Sequence, residues 1–247
     1  LTLRQRLRGT DVYHQQVPLD ITLIGAQGQR QEYQVPASGE LSSFLLNCPF
    51  EPVMAVVNGH RRLNQARMDH EFTIAPGETF TSYQPRVEFQ LFQTNIVDST
   101  LFRVEHIWAA PEASQTEWGV YAASGTHYWV VDGLWPEGTA LNARVFYHGT
   151  NENDLDFDLF GDTEENAVIL YRADAGEPWR VYEDQTLTAG NLFNGTGNIK
   201  IEVLRKGHYA FGKGSVVAAV AEPADPTALE LMPNLATDRV VLRCPEL

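Results

Sequence analysis

Apolar and polar residues alternate along most of this chain. In the opening "LTLRQRLR", Leu1, Leu3, Gln5 and Leu7 fall on one side, and Thr2, Arg4, Arg6 and Arg8 on the other. A period of two puts one set against a core and the other in water, which predicts a half-buried strand. "VPLDITLIG" repeats the pattern, a turn follows at Gly25 to Gly28, and "QRQEYQV", "LSSFLLNCPF" and "PVMAVV" continue it. Asn58-Gly59 then predicts a two-residue hairpin, because both central positions of that turn need positive φ. This first unit ends near Ile74.

"APGETFTSYQP" has the Pro, Gly and Thr content of a linker or crossover. Beyond it a second series runs through "RVEFQLFQ", "TLFRVEHIWAAP", "HYWVVDGLWP", "ALNARVFYH", "DLDFDLF", "AVILYRAD", "WRVYED", "NIKIEVLR", "HYAFGKG" and "VVAAVAE". Helical periodicity is nearly absent. Short strands at this spacing, punctuated by Gly and Pro, predict an all-β protein of two β-sandwich domains in tandem, of immunoglobulin or fibronectin kind. The expected division is 1–75 for the first sandwich and 76–222 for the second. A linker, "AEPADPTA", and a short tail then occupy 223–247.

The 247 residues carry a formal charge of −14, with lysine only at Lys200, Lys206 and Lys213. Such a surface repels phosphate backbones and anionic lipids, which argues against nucleic acid or an acidic membrane as partner. No apolar run reaches the length of a membrane-spanning helix; the longest lies near Val216 to Ala221 and suits a strand. Cys48, in an apolar run, reads as a small core residue. With Cys244 it makes a total of two cysteines, too few for a disulfide framework. The chain opens directly on a strand-like pattern without an initiator Met, and it reads as a piece of a longer polypeptide.

Candidate chemistry is sparse. His70-Glu71 begins a zinc-peptidase pattern, but Ile74 stands where the second histidine belongs. The other histidines, at 14, 60, 106, 127, 148 and 208, show no ligand spacing, and no Gly-x-Ser-x-Gly elbow or phosphate-binding glycine loop occurs. "DLDFDLFGDTEE" places Asp154, Asp156, Asp158, Asp162 and Glu165 where a calcium loop of EF-hand type sets its oxygens. Leu159, however, occupies the position that needs glycine. The favoured reading is a strand with a Leu-Phe-Leu face and an acidic face; the alternative is a calcium site of another kind near its end. Tyr128, Trp129 and Trp135 could stack on sugar rings if exposed, but large aromatics usually bury most of their area, and core is the favoured role. His106 shares a face with Phe102, Val104 and Trp108 and reads as a hydrogen-bonded core histidine. "NGT" at Asn194 is either a glycan acceptor or an Asn-Gly turn.

Several stretches resemble the region after the catalytic domain in the M-one family of zinc aminopeptidases. They are Leu1-Thr2-Leu3-Arg4-Gln5, Val17-Pro18-Leu19-Asp20-Ile21, Phe50 to Asn58, and Leu63 with Ala66. "DSTLFRVEHIWAAPE", "HYWVVDGLWPEG" and "AVILYRADAGEPW" are similar to the tail of secreted members of the Bacteroidetes type. Pro233-Asn234-Leu235-Ala236 resembles the start of a type IX secretion sorting domain, with one proline of the usual turn replaced. The resemblance implies a secreted or cell-surface location and contact with the catalytic and helical domains of a parent peptidase. Zinc would lie in that parent, upstream of these residues, so no catalytic residue and no cofactor are expected here. The alternative is a module that binds glycans or a cell surface through exposed aromatics.

Overall fold

The computed structural model describes residues 1–7, 9–78, 81–85, 87–111 and 115–215. The strand expected at "VVAAVAE", the second linker, the sorting-like tail and Cys244 lie outside the described residues. Leu1–Val216 forms one compact unit.

Two antiparallel sheets face each other across the main core. The larger has β14 (Arg180–Val181), β13 (Ala167–Arg172), β17 (Gly207–Gly214), β11 (Tyr128–Leu134), β9 (Thr100–Ile107) and β6 (Arg67–Ile74) in that order. A further strand, β10 (Val120–Ala123), also pairs with β17. The smaller has β15 (Gln185–Thr188), β16 (Thr196–Ile201), β12 (Ala140–His148), β8 (Phe89–Asn95) and β7 (Thr81–Gln84). Alternation decides what lies between them. Phe102, Val104, Trp129, Val131, Tyr209 and Phe211 come from one inner face; Phe89, Leu91, Leu141, Val145, Ile199 and Ile201 come from the other. Each such side chain contributes about 1.5–3 kcal/mol by leaving water. The all-β sandwich expected from the period-two pattern is therefore present.

Two small sheets precede it. β1 (Thr2–Arg4) pairs with β4 (Leu41–Ser43), and β2 (Val17–Gly25) lies between β3 (Arg30–Ala37) and β5 (Pro52–Val57). One face of the three-stranded sheet buries Leu19, Ile21, Leu23 and Val35. Ile24, Met54 and Val56 pack instead against Leu101 and Leu134 on the outer side of the seven-stranded sheet. Beside that contact Arg103, nearly buried, meets Asp69 at 2.7 Å and Glu105 at 2.8 Å. Arg61 reaches Asp69, and Arg30 reaches Glu71, from the three-stranded side.

Several details differ from the sequence pattern. "APGETFTSYQP", with its linker-like composition, contains β7, which pairs with β8. β6, which the sequence places at the end of the first unit, is hydrogen-bonded to β9 along its whole length, from Arg67↔Ile107 to Ile74↔Thr100. Asn58-Gly59 is not a two-residue hairpin, since β5 pairs with β2 rather than with β6. Asn58 does take positive φ, at 52°, but its side chain binds the Leu63 carbonyl and amide and shapes a longer loop. Finally, "DLDFDLF" is no strand: it is a turn followed by the single-turn helix α1 (Phe157–Phe160). Asp156 and Phe160 are the two buried positions there, four residues apart, which is helical spacing.

Candidate functional site

One line of polar side chains crosses the sandwich interior. It joins β9, the start of β11, and the segment before α1. His106 and His127 have no exposed surface, and Asp156 is 3% exposed. His127 Nε2 lies 2.7 Å from Asp156 Oδ1, and His127 Nδ1 lies 2.6 Å from His106 Nε2. The Trp108 indole N–H donates to His106 Nδ1 at 3.2 Å. The second Asp156 oxygen accepts the His148 backbone N–H at 2.9 Å.

These contacts assign the protons. An indole nitrogen can only donate, so His106 Nδ1 must accept and its proton sits on Nε2. That proton goes to His127 Nδ1, so His127 carries its own on Nε2 and donates to the Asp156 carboxylate. In this arrangement every ring nitrogen is used. Burial, with His127 adding to it, pushes His106 down to about 2. Near the Trp108 end sits Glu88, whose carboxylate is 4.0 Å from His106 Nδ1. Burial raises the Glu88 pKa, His127 opposes that shift, and Asp156 adds to it. Its backbone is left-handed, at φ 51°.

A histidine–aspartate pair suggests general base catalysis, but a base must reach a substrate proton. Here the line terminates in an indole N–H, which neither gives nor takes protons at ordinary pH, and both rings are sealed. The arrangement ties together three segments far apart in sequence. It holds the strands in place as a satisfied buried network does.

A second buried acid lies nearby. Glu164, with no exposed surface, accepts Tyr147 Oη–H at 2.5 Å and the Thr196 N–H at 3.2 Å. Burial and then this carboxylate push the Tyr147 phenol up. Tyr147→Phe strips one of the two donors from a buried carboxylate. It is expected to cost about 1–3 kcal/mol, read as a lower urea midpoint with unchanged m.

The acidic stretch does not converge. Asp154 accepts from the Asn151 N–H and the Thr150 hydroxyl, which hold its carboxyl below the usual range. Asp156 turns inward to His127, while Asp158, Asp162 and Glu165 are exposed. Among the described residues no group of three or more His, Cys, Asp or Glu side chains is placed to hold a metal ion.

The three aromatics also part company. Trp129 is fully buried, stacks on His106 at 4.7 Å, and donates to the Val87 carbonyl at 2.7 Å. Tyr128, its neighbour on β11, faces the other side and is 5% exposed under the Arg6 guanidinium. Trp135 is half-buried and stacked on Phe102. They form no common platform for a sugar. The core roles expected for Trp129 and His106 hold. Cys48 is half-buried against the three-stranded sheet. Asn194-Gly195 lies in the connection between the paired strands β15 and β16, with Gly195 at φ 69°.

A shallow cleft of about 270 Å³ opens on the three-stranded sheet, lined by Asp20, Glu32, Tyr33, His60 and Arg62 among others. Its polar groups face one another: His60 lies 3.6 Å from Asp20 and 3.4 Å from Glu32, and Arg62 is 3.4 Å from Asp20. No protein-family model and no curated protein matches the chain.

Proposed function

We propose that this chain is a non-catalytic, all-β accessory region of a secreted zinc aminopeptidase of the M-one type, packing on the catalytic and helical domains of its parent and extending them. The observation that carries the reading is the closed His106–His127–Asp156 line. The histidine–acid constellation that most resembles chemistry is sealed and fully spent on internal hydrogen bonds. The stretches that resemble the family supply β1, β2 and β5, which is in keeping with that reading. The purified chain is expected to release no dye from aminoacyl substrates, with or without zinc. Zinc-dependent turnover that survives repurification would overturn the proposal. In the positive direction, adding the upstream catalytic region of the parent should raise the melting temperature of this chain, as a ligand of the native state does.

A further inference from the structure

The outward face of the five-stranded sheet carries a different chemistry from the rest of the surface. On β12, Leu141, Ala143 and Val145 enter the core, so Asn142, Arg144 and Phe146 face out. The registers align Tyr83, Gln90, Arg144, Lys200 and Thr186 across all five strands, with Phe92 beside Asn142 and Phe146 beside Asn198. Tyr83 is 47% exposed and meets Phe146 edge-on at 5.4 Å. Arg144 lies over the Phe92 ring at 5.4 Å. Asn142 Oδ1, Arg144 Nε and Asn198 Oδ1 are covered yet have no hydrogen-bond partner. Lys200 pairs with Glu202, but among the described residues Arg144 has no carboxylate partner.

We propose that this face binds an acidic polysaccharide, with Arg144 taking a uronate carboxylate and Tyr83 and Phe146 stacking on the sugar rings. Local charge selects an anion: on the central strand, the Arg144 guanidinium lies over Phe92 and has no carboxylate partner among the described residues. The guanidinium fork matches a carboxylate. The central strands β8, β12 and β16 spend their backbone groups on both neighbours, so this face offers side chains only. That suits sugar rings, with their hydroxyls and CH faces, better than a peptide strand, which adds to an open edge. The proposal does not depend on the aminopeptidase reading, and the failure of either leaves the other standing.

The test is calorimetric titration of the full chain with an oligogalacturonate, beside a neutral cello-oligosaccharide, poly-glutamate and single-stranded DNA. The uronate is expected to bind, more weakly at high salt. Arg144→Gln and Tyr83→Ala should each weaken it by about tenfold, a loss of about 1.4 kcal/mol. Arg144→Lys, which keeps the charge but not the fork, should lose less than Arg144→Gln. Trp118→Ala, at an exposed aromatic outside this face, should leave binding unchanged. Melting curves show that each variant is folded. Absence of uronate binding, equal binding of poly-glutamate or DNA, or indifference to Arg144→Gln in a folded protein would each overturn the proposal.

Discussion

Replacing His127 by Leu is expected to cost about 3–5 kcal/mol, enough to remove a large part of the stability of a domain this size. The cost is mainly that of what is left behind. Asp156, at 3% exposure, loses its side-chain hydrogen-bond donor and keeps only the His148 N–H. His106 Nε2–H loses its acceptor in the same step. Buried groups left unpaired carry their full desolvation cost. Urea unfolding at neutral pH reads the effect as a lower midpoint at constant m. The double variant His127→Leu with Asp156→Leu removes the stranded charge as well. It should therefore be more stable than the sum of the single losses predicts, by about 0.5–3 kcal/mol. Strict additivity would mean that the two side chains are not coupled, and the line would lose its structural role.

The strands of the sandwich were legible because a core between two sheets imposes period two, as in Leu141, Ala143 and Val145 on β12. Pairing was less legible, because alternation says which side a residue faces and nothing about its neighbour. β6 reads as a strand in either setting; that it joins β9 depends on contacts such as Asp69 with Arg103, distant in sequence. In "DLDFDLF" the alternation misled. Asp156 looked like one wet residue among three, yet it is buried because His127 and the His148 N–H are both aimed at it. The interior line itself left one trace in the sequence, a histidine at 106 on an apolar face. Its partners at 127 and 156 carry no local signal. On the five-stranded sheet, Tyr83, Phe92 and Phe146 come from three separate strands, so only the registers bring them together.

Acid should unfold this protein partly through His106. An unfolded histidine takes up its proton near pH 6.5, whereas the buried ring holds out until about 2. Between those values the unfolded chain binds one more proton than the native chain. Stability is therefore lost as pH falls below about 6.5, at about 1.4 kcal/mol per pH unit for this one group. Glu88 acts in the opposite sense. Its native pKa is raised, so its contribution is present below its unfolded value and is lost as pH rises through the native value. It offsets part of the histidine term at the acid end. Other carboxylates add slopes of their own, so the informative quantity is a difference. His106→Gln removes the titrating ring while leaving an amide N–H to offer to His127 Nδ1. Urea midpoints measured from pH 7 down to about 4 should fall less steeply for this variant than for the parent chain, whatever their levels at pH 7. Parallel slopes would show that His106 titrates alike in both states, which the sealed line from Trp108 to Asp156 does not allow.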